Sequence, residues 1–150
     1  MPKLSSKKID RQLEKEILNQ FWVSIAKINT VDGASQFFSD ILTETEKKMI
    51  SKRLAAAILL AREKSATDIK NSLNLTYSTI GTIAAWVKNA KKETRRILLQ
   101  FSKEKNWEAI VDKIEEILDK LPPRYGTNWS LVEKERYQRK IKRARKSLLR

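Results

Sequence analysis

Apolar residues recur along most of the chain at spacings of three and four, the period of a helix buried on one side. From about Ile9 to Ile28, Leu13, Ile17, Phe21 and Ile25 fall four apart, with Trp22 beside them, and predict an amphipathic helix. Thr30-Val31-Asp32-Gly33 reads as a break. A short helix over about 34–41 then carries Phe37 and Phe38, more aromatic surface than so short an element buries against itself. Thr43 and Glu46 have the spacing of a capping box. The helix they open runs to about Arg62, with Ile50, Leu54, Ala57, Ile58 and Ala61 as its inner stripe. Further on, Ile97, Leu98 and Phe101 form one patch. Asn106 is placed to cap a helix whose stripe is Trp107, Ile110, Val111, Ile114, Ile117, Leu118 and Leu121. Pro122-Pro123 stops that helix, and Ser130 with Glu133 is a third capping box, opening a last helix to about Leu149.

The segment from Ser65 to Trp86 is the most informative. Ser65 and Asp68 are a capping box, so a helix should begin at Ala66, with Ile69 and Leu73 on its inner face. Asn74 tolerates the left-handed backbone of a tight turn, Leu75 plugs the corner, and Thr76 can cap a second helix. Ile80, Ile83 and Val87 pack that helix on the first. This is the pattern of a helix-turn-helix over 65–89, whose second helix can lie in a DNA major groove. An ordinary helical hairpin in an all-α core has the same pattern.

Three Gly and three Pro in 150 residues leave few turns, which favours an all-α chain. The net charge of +14 is uneven: residues 122–150 hold ten basic and two acidic groups, while 91–121 hold eight and seven. A basic tail beside a candidate reading head suits a polyanion, most simply nucleic acid. With no His and no Cys, imidazole acid–base chemistry, Ser-His triads and thiolate metal sites are excluded. No apolar run approaches the about 18 residues of a membrane span, and the amino terminus, polar over 1–7, has no apolar core of a secretory signal. These features point to a cytoplasmic protein that is no enzyme, with no cofactor and no membrane partner.

On the second helix, Ile80, Ile83, Ala84 and Val87 point inward, and Ser78, Gly81, Thr82, Ala85 and Asn89 point outward. That outer face is small and polar, so it can approach base edges closely. It lacks an arginine to grip guanine, so affinity should come mainly from phosphate contacts. The candidates are Arg62, Lys64, Lys88, Lys91 and Lys92, with Arg139, Lys140 and Arg143 in the tail; each also fits a solvated surface charge. Tyr137, Ile141, Ala144 and Leu148 make a thin apolar seam along the tail, which fits a phosphate-tracking arm, a membrane-surface helix or a solvated extension. Asp112, Glu115, Glu116 and Asp119 share one helix side with Lys113 and Lys120, a face of paired charges rather than a metal site.

The run from Phe37 to Val87 resembles the Trp repressor family, especially its branch without clear tryptophan dependence. The features that carry this are Leu42, Thr43 and Glu46, the Arg53 that follows, Ile69-Lys70-Asn71 with Leu73, and Ser78-Thr79-Ile80 opening the second helix. The resemblance implies an all-α, intertwined homodimer in which the amino-terminal helices of two copies build one core. It places DNA contacts at Thr67, Lys70, Tyr77, Ser78 and Thr79, to which the outward face adds Thr82. The family's corepressor pocket is matched at Thr43, Arg53 and Thr79, but Thr82 stands where the pocket has a second arginine. Ile83 and Trp86 replace smaller residues there, so no tryptophan corepressor is expected. The division that follows is a DNA-binding and dimerisation domain over 8–91, a helical extension over 92–121, a linker over 122–129 and a basic helix over 130–150. The expected function is a sequence-specific transcription regulator, a repressor in type, acting on double-stranded DNA. The alternative is a structural nucleoid or RNA-binding protein driven by its tail.

Overall fold

The computed structural model describes residues 9–123 and 125–149, so the polar segment 1–7, the proposed domain start at residue 8, and Arg124 of the 122–129 linker lie outside the described residues. The described residues form eight helices and no strand: α1 (Arg11–Ala26), α2 (Val31–Ile41), α3 (Glu44–Ala61), α4 (Ala66–Leu73), α5 (Tyr77–Asn89), α6 (Lys92–Lys103), α7 (Lys105–Lys120) and α8 (Trp129–Leu148). They divide into two compact units, residues 1–49 and 50–150.

In the first unit, Asp10 caps α1 by accepting from the Gln12 and Leu13 backbone N–H groups. Thr30 caps α2, its hydroxyl accepting from Gly33 N–H at 3.0 Å, so the helix starts at Val31 and the expected break at 30–33 is instead its first turn. The Thr43–Glu46 box forms in both directions: Thr43 N–H donates to Glu46 Oε2 at 2.9 Å, and Glu46 N–H to Thr43 Oγ1 at 3.3 Å. The bonds from the Thr43 backbone and hydroxyl hold the Glu46 carboxyl below its ordinary range. Phe21 and Trp22 meet edge to face, as do Phe37 and Phe38. None of the described residues of this unit is buried. Ile17 and Trp22 are more than half exposed, and Leu13 and Leu18 about half. That is a large apolar surface for one 16-residue helix.

The second unit has a true core: Ala56, Ala57, Ile58 and Leu59 of α3, Ile69 of α4, Ile80 and Ile83 of α5, Leu98 of α6, and Val111 and Ile114 of α7. Leu73, Leu75, Val87, Phe101, Trp107 and Leu118 pack around it. The middle of α3 is thus enclosed over four successive residues. Ile50 and Leu54, expected on its inner stripe, are exposed. Ala56 and Ala57 leave room for neighbouring helices to approach closely, and Ile58 and Leu59 beside them fill the core.

The chain leaves α3 through Glu63, which takes a left-handed backbone with φ of 59°. Lys64 N–H donates to Leu59 O at 3.0 Å and Glu63 N–H to Leu60 O at 2.9 Å, the paired bonds of a Schellman stop. A residue with a Cβ pays for that conformation. Glu63→Gly is therefore expected to stabilise the protein by about 1 kcal/mol, read as a rise in Tm on thermal unfolding.

Two further helix starts differ from expectation. α7 begins at Lys105 after Glu104, which makes no side-chain cap bond, and Asn106 lies within the first turn. α8 begins at Trp129, capped by Asn128, whose side chain accepts from Ser130 N–H at 3.1 Å. Asn128 reaches the same orphan donors one turn position earlier, so the Ser130–Glu133 box has no helix end left to close.

Candidate nucleic-acid interface

The helix-turn-helix is built by local chemistry. Ser65 Oγ accepts from Asp68 N–H at 3.1 Å and starts α4. Asn74 ends it in the left-handed region at φ 50° and ψ 55°, and Thr76 Oγ1 accepts from Thr79 N–H at 3.2 Å to start α5. Ile69, Ile80 and Ile83 are each at most 2% exposed, which pins the two helices together through their apolar faces.

That packing turns Ser78, Gly81, Thr82, Ala85 and Asn89 outward, all of them exposed. A Cβ added at Gly81 would meet nothing within 4 Å, so the face is open around its narrowest residue. Thr82 Oγ1 donates to Ser78 O at 3.0 Å, which leaves its oxygen lone pairs facing out as acceptors. Thr79 is half-buried, its hydroxyl 2.9 Å from that of Thr76. Beside this face, three candidates meet. Thr67 Oγ1 lies 3.3 Å from Tyr77 Oη, and Lys70 Nζ sits 4.6 Å from the centroid of the Tyr77 ring. The tyrosine holds the ammonium by its ring face and the threonine by its hydroxyl edge, which gathers a cation and two hydroxyls at one corner of the motif.

The cations divide into two groups. Lys88, Lys91, Lys92 and Lys140 are exposed. Arg62, Lys64, Arg139 and Arg143 are turned into the protein instead. Arg62 Nη2 donates to the Ser102 carbonyl and Lys64 Nζ pairs with Glu115. Arg139 donates to Asp119 Oδ1 through Nη2 at 2.8 Å and Nε at 3.2 Å, and Arg143 Nη2 donates to Asp119 Oδ2 at 2.6 Å. For Lys64, Arg139 and Arg143 the physical reason is the carboxylate face of α7, which supplies their partners Glu115 and Asp119; Arg62 is held by a backbone carbonyl instead. Lys113 and Lys120 therefore account for only part of that face: Lys120 pairs with Glu116 at 3.3 Å, while Glu115 and Asp119 take their partners from α8 and from the corner before α4. Two cations that sequence analysis does not single out, Arg95 and Arg96, stand exposed on α6 beside Lys91 and Lys92. Arg95 Nη2 donates to the Lys88 carbonyl, closing the end of α5, and Arg96 pairs with Glu93. The dense run from Lys91 to Arg96 was the signal for them.

A family model described as the Trp repressor protein matches residues 16–102, more than half of the chain. The chain belongs to the Trp repressor family. It is a family of DNA-binding regulators rather than enzymes. No curated protein and no solved structure matches the chain. The matched span runs from within α1 almost to the end of α6, reaching beyond the Phe37–Val87 run and including the part of α6 that brings Leu98 into the core. All of α7 and all of α8 lie outside the match, although α7 contributes Val111 and Ile114 to the same core. In this Trp repressor-family chain two of the positions weighed against a corepressor pocket lie on α5. Ile83 is 2% exposed and part of the core, and Thr82 is an exposed, uncharged residue. Among the described residues no helix is long and apolar enough to cross a membrane.

Proposed function

We propose that the protein is a homodimeric, sequence-specific DNA-binding transcription regulator that reads the major groove with α5 and needs no tryptophan. The observation that carries this reading is the exposed, small and polar face of Ser78, Gly81, Thr82 and Ala85, flanked by the Thr67–Lys70–Tyr77 cluster. Such a face lets the backbone of α5 come close to base edges, while Lys88, Lys91 and Lys92 beside it supply phosphate contacts. A second copy of the chain supplies the cover for Leu13, Ile17, Leu18 and Trp22, which a lone chain leaves in water. Two reading helices related by a two-fold axis then call for a palindromic site with half-sites about one helical turn apart.

The test is selection of bound duplexes from a random pool by the full chain at near-physiological salt. A two-fold symmetric site, bound at least about 10³ times more tightly than random duplex, is the expected result. Recovery of unselected sequence would leave binding by charge alone and overturn the reading, as would a monomer in sedimentation velocity at the concentration used for selection.

Tryptophan is expected to leave the protein unchanged. An amino-acid ligand needs a cation for its carboxylate and a slot for its ring, and α5 offers neither at Thr82 and Ile83. Titration calorimetry should show no saturable heat, and the selected duplex should bind equally well with and without tryptophan.

A further inference from the structure

The last helix docks by its charged side. Val132, Arg136, Arg139, Arg143 and Lys146 are the half-buried positions of α8, and every other residue of that helix is exposed. Their spacing of four, three, four and three makes them one continuous face. Arg139 and Arg143 bind Asp119 from this face, Arg143 Nη1 stands 3.6 Å from Glu115 Oε2, and Arg136 Nη2 caps the end of α7 at the Leu121 carbonyl. An amphipathic helix ordinarily turns its apolar stripe inward. Here the stripe is on the opposite side. Tyr137, Ile141 and Leu148 are 65%, 36% and 86% exposed, and Ala144 between them is exposed as well.

These four residues follow the four-three-four spacing of a coiled-coil seam. The seam is one residue wide, too narrow for the broad apolar face of a helix lying in a membrane surface. Its flanking positions are Gln138, Lys140, Arg145 and Ser147, with Lys134 one turn before Tyr137. Cations on the flanks oppose pairing with a second copy of α8, which would bring the same charges against them. Duplex phosphates would engage the lysines but leave the seam in water. The ion pairs to α7 hold the rod in helical form before any partner arrives, which lowers the ordering cost of binding.

We propose that α8 is a docking helix for an amphipathic helix of another protein, one that lays an apolar seam on Tyr137, Ile141, Ala144 and Leu148 and carries acidic residues on its flanks. This does not depend on DNA recognition by α5, because the seam lies on a different helix outside the family match.

The test uses the full chain and a fluorescent three-heptad peptide with Ile and Leu at its seam positions and Glu on the flanks, read by anisotropy at about 0.15 M salt. A second peptide has the same seam with Lys on the flanks. The acidic peptide is expected to bind at micromolar concentration and the basic one not at all. The double variant Ile141→Ser/Leu148→Ser should weaken binding by at least tenfold, with unchanged helical circular dichroism since both side chains are exposed. No binding, equal binding of both peptides, or undiminished binding to the double variant would each overturn the proposal. So would a tenfold effect of that variant on binding to random duplex DNA or to phosphatidylserine vesicles, in place of the peptide.

Discussion

Placing glutamates at Ser78 and Thr82 is expected to abolish site-selective DNA binding while the protein stays folded and associated. Both side chains lie on the exposed face of α5, so the substitutions create no cavity and bury no charge. Ser78 is the second residue of α5, where a carboxylate meets the positive end of the helix and is mildly stabilising. The Thr82 hydroxyl gives up only its bond to the Ser78 carbonyl, a loss of about 0.5 kcal/mol on an exposed helix. Against DNA the same two groups bring negative charge to base-edge acceptors and phosphates, which have no way to accommodate it. The affinity for the selected site should fall by about 10³ or more, to the level of random duplex or below. Unchanged selection by a variant with the parent's Tm and sedimentation coefficient would show that α5 is not the reading element. A variant that falls apart would instead point to a structural role for this face.

What could be read from the sequence was what is local in it. The caps at Thr43, Ser65 and Thr76 and the turn at Asn74 depend on residues within three or four positions of one another, and the structure forms each of them. The outward face of α5 follows from the same periodicity, since burying Ile80 and Ile83 leaves Ser78 and Thr82 no other direction. The cations were harder to place. Lys64 and Glu115 are 51 residues apart, and Arg139 and Asp119 are 20 apart. Charge pairing between helices has no spacing rule, so a lysine that closes a corner and one that faces solvent have the same sequence context. The tail shows the larger consequence. Its apolar seam of Tyr137, Ile141 and Leu148 left the docked side unassigned; α7 offers α8 carboxylates, and the arginines turn toward them.

That arrangement makes Asp119 the residue on which the position of α8 depends most. Its side chain is 14% exposed and receives both Arg139 and Arg143; the Arg143 side chain is itself only 17% exposed. Arg143 Nη1 is buried without a hydrogen bond, so this guanidinium relies on Asp119 for its short contact. Asp119→Ala removes the nearest anion of both arginines, leaving Arg143 only Glu115 at 3.6 Å and Arg139 only Glu135 at 3.8 Å, and it should favour undocking of α8 by about 3 kcal/mol. Trypsin reads this directly, because α8 carries its cleavage sites along its whole length and a helix must open to be cut. Cleavage within α8 should become about 100-fold faster, the equivalent of that free energy. Glu116→Ala, which removes only the exposed pair with Lys120, should change the rate less than about twofold. Acid should act like the first substitution. Burial raises the Asp119 carboxyl, but the bonds and charge of Arg143 and Arg139 outweigh it and hold the group below its ordinary value of 3.8. A carboxyl lowered in the folded state contributes its full stability above that ordinary value and loses it as pH falls through the folded one. The docking of α8 should therefore be constant near neutrality and weaken below about pH 4. Hydrogen exchange of the α8 amides across that range would show the loss in the parent, with the Asp119→Ala protein already in its weakened state at pH 7. Parental rates of cleavage in Asp119→Ala would mean that apolar contacts, not this ion pair, hold the helix in place.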